Sequence, residues 1–336
     1  MQQILVIGPS WVGDMVMAQS LFMDLRSRYP GVAIDVVAPQ WSLPLLERMP
    51  EIRRGFGLDV AHGELKLGTR YRLGRELREN HYDRAIVLPR TFKSALVPWW
   101  AHIPQRTGFK GELRYGLLND VRTLLPELDQ TVKRFVALGL PPGEPWNNRA
   151  VLQPALRTDP ANLQRLIQRL DLVTDRPVVG VMPGAEYGPS KQWPAEYFAA
   201  LIRRLSQRGI DTWIFGSTKD ASLAASIVAQ AGGLGRNLAG QTRLQDAVDL
   251  ISKVQLAVSN DSGLMHITAA LRRPQLALYG STTPAFAPPL STQAVVFYRD
   301  IECSPCLQRK CPYGHYRCLR EITVDEVMAA AERVIG

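Results

Sequence analysis

A chain of 336 residues is too long for one simple hydrophobic core and suits two domains of similar size. Its 46% apolar and 21% charged residues exclude the disordered and fibrous classes, and no apolar run reaches the roughly 18 residues that cross a bilayer. The net charge of +9 is shared, with 20 Lys/Arg against 15 Asp/Glu in residues 1–150 and 20 against 16 beyond, which argues against a nucleic-acid-binding module.

In chain order, a short apolar run at 4–7 before Gly8, with no basic leader, reads as a first strand and not a signal peptide, so a cytoplasmic protein is expected. A helix over 15–29, a strand at 33–38 and a helix at 43–48 follow. Next come a helix over 69–80, a strand at 85–88, a helical stretch at 94–101, an extended piece at 106–108 and a helix over 131–138. From Lys66 to Arg114 the chain carries 11 basic residues against four acidic ones, a pattern that suits either a solvated helix face or an anionic partner.

Three prolines and a glycine between Pro141 and Asn148 exclude helix and mark a linker, so the domains are expected to be 1–145 and 146–336. The alternation then restarts with a helix at 160–170, a strand at 178–182, a helix at 195–208 and a strand at 212–215. Helices at 221–231 and 244–252, a strand at 256–259, a helix at 264–271, a strand at 275–279 and a last helix at 324–334 complete it. This rhythm predicts an α/β protein of two Rossmann-like, doubly wound domains facing across a cleft. Ligands in such folds sit beyond the carboxyl ends of the strands, so the strand-to-helix loops are the places to search.

After the first strand, Gly8 and Gly13 are separated by four residues, but Asp14 stands where a phosphate-binding loop would need lysine. Asp14 is therefore either a helix N-cap or a carboxylate able to act as general base. After the strand at 178–182, the glycine-bearing loop Pro183 to Pro194 holds Lys191, which is either an exposed loop lysine or a point charge for a diphosphate. After the strand at 256–259, Asn260-Asp261-Ser262-Gly263-Leu264-Met265-His266 opens a helix whose amides can hold phosphate. Alternatively, Asp261 or Ser262 caps that helix and His266 packs inside. Gly216, Ser217 and Asp220 repeat the same strand-to-helix logic. Cys303, Cys306, Cys311 and Cys318 lie within sixteen residues, with His315 among them, and fit either a structural zinc site or a reduced, thiol-rich loop.

The runs Ile7 to Met15, Pro183 to Pro194 and Ser259 to His266, supported by Phe92 to Pro98 and Arg114 to Val121, resemble the type II heptosyltransferases of glycosyltransferase family 9. The resemblance implies a GT-B fold and inverting transfer of L-glycero-D-manno-heptose from ADP-heptose to the first heptose of the lipopolysaccharide inner core. The sister enzyme acting on Kdo-lipid A and a non-catalytic nucleotide-binding protein are the alternatives. It further implies Asp14 as base, Lys191 as the charge facing the departing ADP, and a first domain that binds acceptor. Donor contacts would come from Gly13 in the first domain. In the second they would come from Gly184, Ala185, Glu186, Gly216, Ser217, Asp220, Asp261, Ser262, Gly263 and His266. The acidic lipid acceptor would be met by Arg90, Lys93 and Arg114 at the inner face of the inner membrane, with Trp99 and Trp100 nearby. No cofactor is implied for the transfer itself.

Overall fold

The computed structural model describes residues 2–60 and 63–335; Met1, Ala61, His62 and Gly336 lie outside them. The chain forms two compact units, Met1–Pro154 and Ala155–Gly336. The first comprises β1 (Gln3–Ile7), α1 (Val12–Arg28), β2 (Ala33–Pro39), α2 (Leu43–Leu46), β3 (Ile52–Leu58) and α3 (Leu67–Leu77). It continues with β4 (Arg84–Val87), α4 (Leu96–Trp100), β5 (Gln105–Phe109), β6 (Asp120–Arg122) and α5 (Thr131–Gly139). Its strands form one parallel sheet in the order β3-β2-β1-β4-β5-β6. Ile4, Leu5 and Val6 of β1 are wholly buried, as a central parallel strand covered on both faces must be. Helix α5 lies so close to α1 that a Cβ on Gly139 would meet Leu21 at 2.5 Å.

The boundary falls nine residues beyond the expected 145/146 break (154 − 145). The proline-rich segment is indeed non-helical, but the chain after it stays fastened to α1. Trp146 is buried, Arg149 reaches Asp24 at 3.2 Å and Glu144 at 3.3 Å, and the Ser20 hydroxyl donates to the Leu152 carbonyl at 2.6 Å.

The second unit starts with α6 (Pro160–Arg169), capped by the Asp159 carboxylate accepting from the Ala161 and Asn162 amides. It continues with β7 (Val178–Met182), α7 (Ala195–Gln207), β8 (Asp211–Ile214), α8 (Ala221–Gln230), β9 (Arg236–Asn237) and α9 (Leu244–Ile251). Then follow β10 (Leu256–Asn260), α10 (Gly263–Ala270), β11 (Gln275–Tyr279), β12 (Ala294–Tyr298), α11 (Arg317–Arg320) and α12 (Val324–Ile335). Its sheet is again parallel, in the order β12-β11-β10-β7-β8-β9.

Both sheets are therefore doubly wound. In the first, the chain runs outward from β1 through β2 and β3 and crosses back to β4. In the second it runs from β7 through β8 and β9 and crosses back to β10. The order reverses between β1 and β4, and between β7 and β10, which is where such sheets open a crevice at their carboxyl ends. Strands β3, β6, β9 and β12 lie outside the sequence-based expectation; β3 and β12 form one edge of each sheet, β6 and β9 the other. Among the described residues no helix is long and apolar enough to cross a membrane.

Candidate active site

In the second unit, β7 and β10 pair with Met182 opposite Ser259, so the loops leaving them open side by side. Asn260, fully buried at the end of β10, joins the two: its Oδ1 accepts from the Trp193 amide at 3.0 Å and its Nδ2 donates to the Pro183 carbonyl at 2.7 Å. This brings Lys191 onto Asp261, seventy positions along the chain, with Nζ 2.6 Å from Oδ2. The same Oδ2 accepts from the Thr282 hydroxyl at 2.6 Å, and the Lys191 ammonium lies 5.1 Å from the centre of the Tyr187 ring. The pair is largely withdrawn from water, with side-chain exposures of 15% and 8%. Lys191 is thus neither a loose surface lysine nor an isolated cation; a buried carboxylate holds it in place.

The capping alternative for α10 is decided by the same contacts. Ser262 is the N-cap residue, but its side chain makes no cap bond, and the Asp261 carboxylate is committed to Lys191 and Thr282. The start of α10 thus carries no side-chain cap from Ser262, and a helix start whose first amides lack intrahelical acceptors is suited to phosphate oxygens.

His266, one turn further on, is buried. Burial pushes its imidazole down to about 4, opposed by Asp261 and reinforced by Lys191, so it is neutral at physiological pH and can meet a ligand only as a neutral hydrogen-bonding ring. The unfolded chain takes up a proton below about pH 6.5 that the folded chain refuses until about pH 4, so this residue's contribution to stability is lost as pH falls through that window. His266→Gln is accordingly expected to flatten the fall of the urea midpoint between pH 6.5 and 4 relative to wild type; equal slopes would refute the buried neutral imidazole.

The remaining expected donor contacts gather around Asp220. Its Oδ2 accepts from the Ser217 amide at 2.8 Å and hydroxyl at 2.7 Å, closing a capping box. Gly184 lies directly over this carboxylate, since a Cβ there would come within 2.5 Å of it, so glycine is needed for the loop to pass. A ribose contact has to use what the capping box leaves of Asp220. Glu186 reaches out to an ion pair with Lys219, and Ala185 accepts the Gly188 amide at 3.1 Å within the loop.

In the first unit, β1 and β4 pair with Ile7 opposite Val87, and their exits carry Asp14 on one side and Arg90 and Lys93 on the other. The N-cap of α1 is Trp11, so Asp14 is not the cap: it is the third residue of the helix, half-buried in its first turn beside the buried Gly13. Arg90 is exposed and donates to the Lys110 carbonyl at 3.2 Å, while Lys93 donates to the Glu64 carbonyl at 3.2 Å.

Arg114 differs from expectation. It is buried, and its guanidinium donates to the carbonyls of Pro89 (2.7 Å), Thr91 (3.3 Å) and Phe109, and to the Ser94 hydroxyl (3.2 Å). Burial, with Arg90 nearby, pulls it down to about 10. Its two terminal nitrogens are spent on shaping the loop that presents Arg90 and Lys93, and the side chain is buried, which does not fit an exposed acceptor contact. Arg114→Ala should lower stability by about 3 kcal/mol, because it strands several buried carbonyls; an unchanged urea midpoint would refute this. Arg70 and Arg84 of the same basic stretch are also buried, leaving Lys66, Arg72, Arg75, Arg90 and Lys110 exposed.

The family profile of glycosyltransferase family 9 (heptosyltransferase) matches residues 70–317. The chain belongs to this family. It is 44% identical to lipopolysaccharide heptosyltransferase 2 of Escherichia coli, over 97% of this chain and 96% of that one. It is 46% identical to lipooligosaccharide heptosyltransferase 2 of Haemophilus influenzae, covering 99% of each chain. The solved structure of E. coli ADP-heptose LPS heptosyltransferase II superposes with a TM-score of 0.89 at 43% identity, covering 100% of this chain and 98% of that one. The GT-B architecture and the heptosyltransferase class read from the sequence therefore stand. Spacing alone did not reveal the roles of Asn260 and Thr282; the polar Ser259–Asn260 end of an apolar strand was the available signal for Asn260.

Proposed function

We propose that this chain transfers heptose from ADP-heptose to the first heptose of the lipopolysaccharide inner core, with inversion. The Lys191–Asp261–Thr282 cluster beside the uncapped start of α10 carries the proposal, in a chain so similar to enzymes named heptosyltransferase 2. The first unit serves the acceptor and the second the donor. Asp14 takes the proton of the attacking acceptor hydroxyl, whose oxygen bonds to the anomeric carbon as the bond to the diphosphate breaks. ADP leaves with that electron pair, and Lys191 together with the α10 amides offsets the charge that accumulates on it. His266 contributes a neutral hydrogen bond, and Asp220 accepts from the ribose with its uncommitted oxygen.

The acceptor is an acidic lipid, which the exposed Arg90 suits. Trp99 is 42% exposed beside Trp100, whose ring meets Tyr71 edge-on, in the basic 66–114 stretch, and would rest at the interface of an anionic membrane. The four cysteines are read as ligands of a structural zinc outside the chemistry. The deciding experiment incubates the protein with ADP-heptose and either a mono-heptosylated or a Kdo-terminated core acceptor, reading products by mass. A gain of one heptose on the first acceptor supports the proposal, and turnover on the Kdo-terminated acceptor alone replaces it with the type I activity.

A further inference from the structure

Between β12 and α11, residues 299–316 contain no helix or strand, and few apolar side chains there are buried. Loops longer than about 12–15 residues seldom keep one conformation without a staple. Three cysteines in this segment, with Cys318 just beyond it in α11, are able to supply one. All four are free thiols, and all four line a single cavity with Ser190, Ser281 and His315. Around one of them the chain turns tightly: the Gly314 amide donates to the Cys311 carbonyl at 3.2 Å, and the Cys311 sulfur lies 4.0 Å from Nδ1 of His315. This turn places Gly314 and Tyr316 at positive φ of 73° and 51°. Among the described residues, no three His, Cys, Asp or Glu side chains already stand at metal-binding separation, so closing a site requires the thiols to turn inward about the cavity they share.

The segment is also tied to the loop that carries Lys191. The Ser190 hydroxyl donates to the Gln308 carbonyl and its amide to that of Arg309 at 3.3 Å. The Tyr187 hydroxyl donates to the Leu307 carbonyl, and the Leu307 amide to that of Ser281 at 2.8 Å. Ser281 returns to Ser190 through its amide at 3.1 Å and its hydroxyl at 2.9 Å. Gly188 has φ of 143°, and a Cβ there would come 2.5 Å from the Arg309 carbonyl oxygen, so the two loops leave no room for a side chain between them.

We propose that Cys303, Cys306, Cys311 and Cys318 bind one thiophilic divalent metal ion, zinc or iron(II), in a closed tetrahedral site whose occupancy fixes the 307–309 strap against Ser190 and thereby positions Lys191. Binding converts four thiols to thiolates and releases four protons to solvent, with no change of oxidation state. Four sulfur ligands leave no open coordination position, so the ion holds structure and does not touch substrate. The metal site stands on the thiols alone; only the effect on Lys191 rests on the reading of that residue given above.

The test separates the two parts. Protein purified without chelator should carry about one zinc or iron per chain by mass spectrometry of the metals, and the reduced, metal-free protein should develop the absorption of tetrahedral cobalt–thiolate on titration with Co(II). Cys306→Ser/Cys311→Ser should lose both signals. Should that variant fail to fold, chelation and reconstitution of the wild-type chain answer the same question. Reduced protein that takes up neither Zn(II), Fe(II) nor Co(II) overturns the site. For the coupling, Ser190→Ala should retain the metal yet lose transfer about ten-fold, as metal removal should. Unchanged kinetics after metal removal overturn the coupling while leaving the site intact.

Discussion

Asp14→Asn is expected to lower kcat by about 10³-fold or more, within the range associated with a positioned general base, while leaving ADP-heptose affinity nearly unchanged. Asparagine matches aspartate in size and cannot accept the proton, so it isolates chemistry from shape. The site predicts the split between kcat and binding because Asp14 stands in the first turn of α1, in the first unit, whereas Lys191, Asp261 and the start of α10 lie in the second. The partners are a calorimetric titration with ADP-heptose and a transfer assay, with the thermal midpoint checking the fold. Residual turnover within ten-fold of wild type would remove Asp14 from the role of base. A parallel loss of donor affinity would instead place it among the donor contacts.

Much of this site was legible from the sequence because doubly wound sheets place their loops by rule. The apolar runs at Ile4 and Val178 mark central strands buried on both faces, and the residues after them must lie at the carboxyl edge. The edge strands were not legible in the same way. Strand β3 contains Arg53, Arg54, Gly55 and Gly57, a polar and glycine-bearing pattern that propensity opposes and pairing with β2 overrides. Strand β12, Ala294–Tyr298, has strand chemistry, but no helix separates it from β11, so the strand–helix rhythm left it no place. Likewise, counting basic residues from Lys66 to Arg114 could not tell Arg90 at the surface from Arg114 inside, since that difference arises from which backbone carbonyls the fold leaves in need of a donor.

The pairing of Lys191 with Asp261 has a consequence for the second large effect. A lysine facing a diphosphate is commonly treated as a single charge, yet here a buried carboxylate stands 2.6 Å from it. Lys191→Met therefore does two things: it removes the cation, and it leaves the Asp261 carboxylate, held by Thr282, beside the start of α10, the proposed seat of the diphosphate. Removing one member of a buried pair costs more than the pair contributes. Lys191→Met should accordingly lower kcat by about 10²- to 10³-fold and weaken ADP binding about ten-fold or more, the second effect coming largely from the orphaned carboxylate. Asp261→Asn alone keeps the cation but loosens its hold, so it should lower kcat with little change in ADP affinity. If the carboxylate is the source of the repulsion, Lys191→Met/Asp261→Asn should bind ADP more tightly than Lys191→Met alone, although transfer stays slow because nothing replaces the cation facing the leaving group. A double-mutant cycle on ADP affinity measures this directly. Additive losses would show that Asp261 does not act through Lys191, and a fully active Lys191→Met would remove the lysine from the leaving-group role altogether.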